Sequence, residues 1–358
     1  MKKIKIFVLN TGGTLGSVGK PLRPAKSAAE LVEGVAVPQE VDLHLEDFKY
    51  RRDSTDILNF ERLMMARQIA TVYKDYDAFV VLHGTDTLSI TTSAFSMFYK
   101  QTLQKPLIVV GAQMAKDEPG SEVTFQLSNA FRVAAAFSKN NVIGVFNVCI
   151  GDVWDGSRLK KRSESNFDAF YSPGRYPVAR IWPHIHLEEG LRYRDSVLAV
   201  QDIRIDSALE RNVASIRVNA DTPPWLIMDH IKNNRLKGVI IECRGIGGIP
   251  QREWTDYVDG STYSWIDVIG AGTKVGIHIG VLSPFEDGRV VLGRYELGQM
   301  AKEAGALSLE SLTPDMAEIK FRQAIALFPN DRDRIQEFIS TNMVGELLTG
   351  KEEATEEL

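Results

Sequence analysis

The sequence predicts an α/β protein of two domains, a larger amino-terminal domain with a parallel sheet and a smaller carboxyl-terminal α/β domain. Short, wholly apolar runs alternate with segments of helical periodicity, as in parallel strands that helices cover on both faces. At 358 residues the chain is too long for one typical core. The alternation pauses over a polar stretch and then resumes, so we expect domains at 1–190 and 213–358, joined by a linker at 191–212.

Composition limits the classes of protein to which the chain could belong. Hydrophobic residues make up 44% of it and charged residues 25%, as in ordinary globular proteins. A net charge of −5 gives no reason to expect nucleic acid or a membrane surface as a partner. The apolar run behind the first lysines is too short for a signal peptide or a membrane span. Cys149 and Cys243 lie in apolar runs and are expected to be buried and unpaired, which favours a cytoplasmic setting.

The elements of the first domain can be assigned in chain order. Residues 4–9 form an apolar run that predicts a buried first strand. Ser27 and Glu30 have the spacing of a capping box, so a short helix is expected to run through Val35. The alternating segment 41–50 predicts an edge strand. Further strands are expected at 77–82, 107–112 and 142–150, and helices at 59–73 (with Asn59 as the cap), 88–100 and 125–137.

The second domain repeats the alternation. Glycines cluster at 245–250, but their spacing does not meet the GxGxxG pattern of dinucleotide sites. Six histidines are scattered without the spacing of a metal site. We therefore expect neither a bound nucleotide nor a metal. Strands are expected at 213–218, 239–243 and 275–281, and helices at 223–233, from Thr313 onward and at 334–347.

A turn whose glycines and hydroxyls suit catalysis follows the first strand, with the sequence Asn-Thr-Gly-Gly-Thr-Leu-Gly at 10–16. In open α/β sheets ligands bind at the carboxyl ends of the strands. Gly12 and Gly13 permit positive φ and a close approach of backbone N–H groups to a ligand. Thr14 would then present its hydroxyl to a reacting atom, with those amides as oxyanion donors. A tight turn without chemistry would use the same residues.

A second turn repeats this design, with His-Gly-Thr-Asp-Thr at 83–87 between a buried strand and a helix. Thr85 and Asp86 would also serve as helix caps, but a cap needs only one such residue. The basic segment 157–163 follows a later strand end. It suits a solvated loop, but an ammonium held near Thr85 and Asp86 would be placed to accept a proton from a hydroxyl.

Both turns resemble the two signature segments of bacterial-type L-asparaginases, and the resemblance covers nearly the whole chain. It is strongest to the cytoplasmic type I branch. It implies a flavodoxin-like first domain and a smaller Rossmann-like second domain. Because the chain starts at the signature strand, no counterpart is expected of the extra amino-terminal domain found in the related archaeal tRNA-dependent amidotransferase. Further matching segments lie at 53–56, 110–112, 158–161, 245–250, 288–290 and 313–317.

The resemblance implies an amidohydrolase that converts L-asparagine and water to L-aspartate and ammonia without metal or cofactor, as a homodimer or homotetramer. By position, Thr14 is the implied nucleophile, which forms an acyl-enzyme. Thr85 and Lys161 would activate a hydroxyl or water, and Asp86 would hold the substrate α-ammonium. The remaining implied substrate contacts are Asp53, Ser54, Thr55, Gly84 and the carbonyl of Ala112.

Two positions depart from the family pattern. Leu22 stands where the family's mobile loop carries a tyrosine that helps to activate the nucleophile, and no tyrosine occurs between Thr14 and Tyr50. Glu122 replaces a usual aspartate, a milder change because the charge is kept. Two hypotheses follow: a working asparaginase, or an asparaginase-fold protein that binds an amino acid and has weak or altered amidase activity.

Overall fold

A computed structural model describes residues 3–195, 202–285 and 287–348 of the chain. Contacts divide the chain into two compact units, Met1–Ser207 and Ala208–Leu358. Each unit has its own hydrophobic core and its own sheet. In the described ranges no helix has both the length and the apolar character needed to cross a membrane.

A nine-stranded sheet forms the frame of the first unit. Its five parallel strands lie in the order β2-β1-β3-β4-β5, which is the flavodoxin-like order. The other four strands extend the sheet by antiparallel pairing beyond or beside β5. The strands are β1 (Ile4–Gly12), β2 (Val41–Arg52), β3 (Ala78–Leu82), β4 (Pro106–Val110), β5 (Val142–Cys149), β6 (Asp152–Asp155), β7 (Ala179–Ile181), β8 (Ile185–Leu187) and β9 (Arg192–Tyr193).

Helices cover both faces of this sheet, because alternate residues of its buried strands point to opposite sides. Val8 of β1 lies in one apolar cluster with Phe131. Its neighbour Phe7 contacts Phe79, which in turn stacks on Tyr73. The helices are α1 (Ala28–Val32), α2 (Asn59–Thr71), α3 (Leu88–Tyr99) and α4 (Val123–Lys139).

The structure confirms most of the expected elements and corrects some of their ends. The capping box is present, since Ser27 accepts a hydrogen bond from the Glu30 N–H and the Glu30 carboxylate accepts one from Ser27. The helix ends at Val32, three residues earlier than expected. Asn59 is the first residue of α2 rather than its cap. The cap position is Leu58, whose N–H donates to the Glu61 carboxylate.

Four parallel strands in chain order form the main sheet of the second unit. They are β10 (Val213–Arg217), β11 (Gly238–Glu242), β12 (His278–Leu282) and β13 (Leu307–Ser308). The helices are α5 (Trp225–Lys232), α6 (Trp265–Lys274), α7 (Glu296–Ala304), α8 (Pro314–Leu327) and α9 (Arg332–Ser340). Of these, α6 and α7 had no counterpart among the expected elements, whereas the α/β class of both units is as expected.

The order of the parallel strands reverses between β1 and β3. Strand β1 leads to the turn that bears Thr14, and β3 leads to the turn that bears Thr85. Ligands of open α/β sheets bind at such reversal points, outside the carboxyl ends of the strands. The two turns singled out by sequence therefore occupy the part of the sheet best suited to a ligand.

Candidate active site

Two glycines bring the turns after β1 and β3 into backbone contact. Gly13 has a φ of +90°, and a Cβ on it would lie 2.3 Å from the N and Cα atoms of Gly84. A Cβ on Gly84 would lie 2.7 Å from the hydroxyl oxygen of Ser54. A side chain on Gly13 would push the two turns apart, and one on Gly84 would displace Ser54. The contact holds the residues that follow each glycine, Thr14 and Thr85, in neighbouring turns.

Hydrogen bonds from the neighbouring strands hold the turn after β1. The side chain of Asn10 accepts the N–H of Gly12 and donates to the carboxylate of Asp47. The N–H of Gly13 donates to the carbonyl of Arg52 at 3.0 Å. These two amides are therefore used inside the protein, which corrects the expectation that they serve as oxyanion donors.

Thr14 begins a short 3₁₀ turn, Thr14–Gly16, and is only partly buried. In the ranges that the structure describes, neither its hydroxyl nor its backbone N–H has a hydrogen-bond partner in the protein. A hydroxyl with no partner at a strand end can be presented to a bound molecule. The same residue supplies one backbone donor for a developing negative charge.

The side chain of Lys161 joins the polar groups of the second turn. Its ammonium donates to the hydroxyl of Thr85 at 3.0 Å and to the carboxylate of Asp86 at 2.6 Å. It also donates to Glu164 at 2.8 Å. The lysine side chain is only 10% exposed, whereas Asp86 is half exposed. The hydrogen bond from Lys161 lowers the pKa of Asp86, and the hydrogen bond from Thr55 acts in the same direction.

Gln113 is a member of this cluster that sequence reasoning missed. Its side-chain oxygen accepts the Thr85 hydroxyl at 3.2 Å. Its side-chain NH₂ group donates to the carbonyls of Ser163 and Asn166 in the loop behind Lys161. The Thr85 hydroxyl thus accepts from Lys161 and donates to Gln113. Gln113 follows the matched segment 110–112 directly, and this position was the only sign in the sequence that it belongs to the cluster.

A carboxylate from the start of α4 holds the backbone next to Gln113. Glu122 is buried and accepts the N–H groups of Gln113 and Met114. Ala112, the implied contact of the substrate amide, lies buried one residue before them. A Cβ on Gly111 would lie 3.1 Å from the Thr85 methyl group, so this strand end adjoins the second turn directly.

The segment 53–55 reaches the second turn from the end of β2. The hydroxyl of Thr55 donates to Asp86 at 3.2 Å, and its N–H donates to Asp53. The carbonyl of Ser54 accepts the hydroxyl of Thr87 at 2.7 Å. Ser54 is buried, while Asp53 and Thr55 are exposed. The structure therefore brings the expected residues of this segment to the Thr85–Lys161 cluster.

A buried histidine fixes the carbonyl that precedes Thr85. His83 contacts the Gly84 oxygen through Nδ1 at 2.7 Å, and its Nε2 contacts the Thr91 hydroxyl at 2.9 Å. Arg62 donates to the same hydroxyl. Burial lowers the pKa of His83 to about 4. The neutral ring therefore carries its proton on Nδ1 and accepts from Thr91, which sets the plane of the peptide between Gly84 and Thr85.

The loop that contains Leu22 follows the first turn. Ser17–Val18 pairs antiparallel with Arg23–Pro24, and Leu22 lies between them with 48% of its surface exposed. An exposed leucine has no proton to exchange with the Thr14 hydroxyl. The departure from the family pattern therefore also holds in the folded chain.

Comparison with known proteins gives consistent matches. The family model described as asparaginase, N-terminal, matches residues 5–192. L-asparaginase 1 of Escherichia coli K12 is 27% identical over 356 residues, covering 97% of this chain and 99% of that protein. One chain of the glutamyl-tRNA(Gln) amidotransferase of Pyrococcus abyssi is 27% identical over 355 residues, covering 96% of this chain and 76% of that relative. The fold of the thermostable L-asparaginase from Thermococcus kodakarensis superposes with a TM-score of 0.83 at 24% identity, covering 97% and 100% of the two chains.

Proposed function

Since the chain belongs to the asparaginase family, we propose that it hydrolyses L-asparagine to L-aspartate and ammonia with Thr14 as the nucleophile. The contact of Lys161 with both Thr85 and Asp86 carries this proposal. A lysine, a hydroxyl and a carboxylate beside a threonine hydroxyl that no described residue bonds are the groups that acyl transfer requires. They converge at the strand ends where ligands of this fold class bind.

The proposed reaction has two steps. The Thr14 hydroxyl attacks the side-chain amide carbon of the substrate, its proton passes to the amide nitrogen, and the C–N bond breaks to release ammonia. Water then hydrolyses the Thr14 ester, which releases aspartate and restores the hydroxyl. Thr85 and Lys161 assist both proton transfers. A lysine that donates hydrogen bonds must first give up a proton before it can act as a base.

Asp86 is proposed to bind the α-ammonium of the substrate. Its carboxylate remains ionised well below neutral pH, because Lys161 and Thr55 both donate to it. A charged hydrogen bond of this kind is stronger than a neutral one. Ser54 and Thr55 would contact the α-carboxylate end and the Ala112 carbonyl the side-chain amide, with Asp53 and Gly84 as further substrate contacts.

Resemblance to the type I branch extends the proposal to setting and assembly. We propose a cytoplasmic protein that acts as a homodimer or homotetramer. Cys149 and Cys243 are both buried and form no disulfide. Burial raises the pKa of each thiol to about 11, which fits residues that serve packing rather than redox chemistry.

Leu22 favours a second candidate function, an asparaginase-fold protein that binds an amino acid and hydrolyses it weakly or not at all. Without the loop tyrosine, Thr14 lacks one proton carrier. Loss of a general acid or base typically slows a reaction by about 10² to 10⁴. The Thr85–Asp86–Lys161 cluster is complete nevertheless, so the first candidate is better supported.

Ammonia release from L-asparagine and from L-glutamine tests the proposal. We expect release by the native chain, background release by Thr14→Ala, and a loss of about 10² to 10⁴ in kcat for Thr85→Ala. Thr71→Ala is a matched control, because the Thr71 hydroxyl is exposed and donates to the Gln68 carbonyl within α2.

Binding measured on the same proteins separates the two candidates. Saturable binding of L-asparagine without ammonia above the Thr14→Ala background would establish the binding protein instead. Equal activity in the native chain and Thr14→Ala would exclude Thr14 as the nucleophile.

A further inference from the structure

A cavity lies at the amino ends of several strands of the same sheet, and the proposed reaction does not use it. It has a volume of about 300 Å³. Asp77, which precedes β3, and Pro106 and Val142, which begin β4 and β5, contribute to its wall. The amino ends of these strands thus face this cavity, whereas their carboxyl ends lead to the candidate active site.

Lys105 is a cation of this wall that backbone carbonyls hold in place. Its ammonium donates to the carbonyls of Tyr73 and Tyr76 and lies 4.8 Å from the centre of the Tyr73 ring. Within the described ranges no carboxylate lies at ion-pair distance from it. Burial lowers the pKa of Lys105, the negative charge of Asp77 in the same wall raises it, and the positive charge of Arg194 lowers it. A cation in this position has one N–H left to donate.

Arg194 faces the same cavity as Lys105. Its guanidinium donates to the side-chain oxygen of Asn141 at 2.9 Å. Lys74 lies at the rim and pairs with Asp202. Asp77 is the carboxylate in the wall, and it accepts the backbone N–H of Lys5. The wall therefore carries more positive than negative charge.

The neutral polar groups of the wall also suit an anion. Gln104, Ser138 and Asn141 can each donate to an oxygen atom. Guanidinium and ammonium groups bind carboxylate and phosphate oxygens through charge-assisted hydrogen bonds. A volume of about 300 Å³ is at the lower limit of small-molecule sites, so only a small ligand fits.

We propose that this cavity binds a small oxyanion, a phosphate or a dicarboxylate, between Lys105 and Arg194. The anion places negative charge between Lys105 and Arg194 and accepts from the amide and hydroxyl donors around it. The cavity lies at the amino ends of the strands and the candidate active site at carboxyl ends, so this binding does not depend on the proposed hydrolysis.

Calorimetric titration of the full chain with inorganic phosphate and, separately, with succinate tests the proposal at constant ionic strength. We expect saturable binding of at least one of them, and the tighter of the two identifies the anion class. Lys105→Met should raise that Kd at least tenfold. Lys139→Met is the matched control, since it removes the same charge from an exposed lysine that pairs with Glu40 outside the wall.

A second variant keeps the test decisive if Lys105→Met does not fold. Asn141 has a φ of +55°, which aspartate also tolerates. Asn141→Asp would place a carboxylate against Arg194 and occupy the cavity with an internal negative charge. We expect it to raise the Tm without added anion and to abolish the increase in Tm that the anion causes in the native chain.

Three results would overturn the proposal. They are the absence of saturable binding of either anion, an equal loss of binding in Lys139→Met, and native-like anion binding by Asn141→Asp. None of these outcomes bears on whether Thr14 hydrolyses asparagine.

Discussion

Thr85, Asp86 and Lys161 could be identified from sequence because each stands in a short motif after a strand. Gln113 and Glu164 could not, although both touch the same cluster. Their contribution depends on where the loop behind Lys161 folds and on the direction of a side-chain amide. Residue type and spacing along the chain do not contain that information.

The side-chain amide of Gln113 is expected to position the Thr85 hydroxyl. Gln113→Met keeps the volume but removes the acceptor of the Thr85 hydroxyl and the donor to Ser163. The loss of a hydrogen bond worth about 1.4 kcal/mol corresponds to a tenfold effect, so we expect kcat to fall about tenfold with a smaller change in KM. Steady-state kinetics with L-asparagine measure this.

Gln68→Met is the control, because the Gln68 side chain donates to Glu46 of β2 and not to the Thr85–Lys161 cluster. An unchanged kcat in Gln113→Met would mean that the amide merely fills space. A matching decrease in the Gln68 variant would point to general destabilisation.

Elements with a single strong signal were predicted well. The buried strands are apolar throughout, and the capping box of α1 has its expected residues. Helix α6 was missed because Gly270 and Gly272 and several β-branched residues weaken its helical propensity. Its capping box, from Ser264 to Asp267, was the available signal. Tertiary packing decided this element, as it decides many helices of low propensity.

A buried ion pair secures the end of the second unit. Lys320 of α8 donates to Glu346 at 2.6 Å, and both side chains are fully buried. The lysine also donates to the carbonyls of Ile339 and Thr341. Burial alone would raise the pKa of Glu346, but the charge of Lys320 and two backbone N–H groups lower it below its usual value. This pair ties the segment after α9 to α8.

Lys320→Met should destabilise the protein by about 3–5 kcal/mol, because it leaves a buried carboxylate without its counter-charge. Chemical denaturation followed by circular dichroism measures the loss. Lys302→Met, an exposed lysine of α7, should change stability by no more than about 0.5 kcal/mol. Comparable losses of stability in the two variants would show that the buried pair contributes no more than an exposed lysine.

At the scale of the whole molecule, strand order could not be read from the chain. Alternating strands and helices predict a parallel sheet, but the reversal between β1 and β3 arises from pairing between segments more than sixty residues apart. The resemblance to asparaginases supplied what local patterns lack. The position of the candidate active site follows from that order, because it brings the ends of β1 and β3 together.

His83 predicts how stability depends on pH. Its pKa is about 4 in the folded chain and about 6.5 when unfolded, so the unfolded chain binds more protons between these values. The free energy of unfolding is therefore unaffected by His83 above pH 6.5, where the ring is neutral in both states. It decreases as the pH falls towards 4, because the ring then gains a proton in the unfolded chain only. The difference amounts to about 3 kcal/mol.

Thermal unfolding between pH 4 and pH 7.5 measures this. His83→Gln should show a shallower fall in Tm on acidification than the native chain, whereas His186→Gln, at an exposed position, should follow the native curve. Identical slopes for all three proteins would assign the acid sensitivity to carboxylates.

The central position of β1 has a consequence for synthesis of the chain. Both edges of this strand pair with strands that are made later, and 65 residues separate Gly12 from Ala78. At usual rates of translation the ribosome needs roughly 3 to 13 s to supply them. Both edges of β1 are open until β2 has been made, and the edge that pairs with β3 stays open throughout the interval. Open strand edges are the condition under which nascent chains aggregate or engage chaperones. The arrangement that places the Thr14 turn beside the Thr85 turn thus leaves an apolar strand incompletely paired during synthesis.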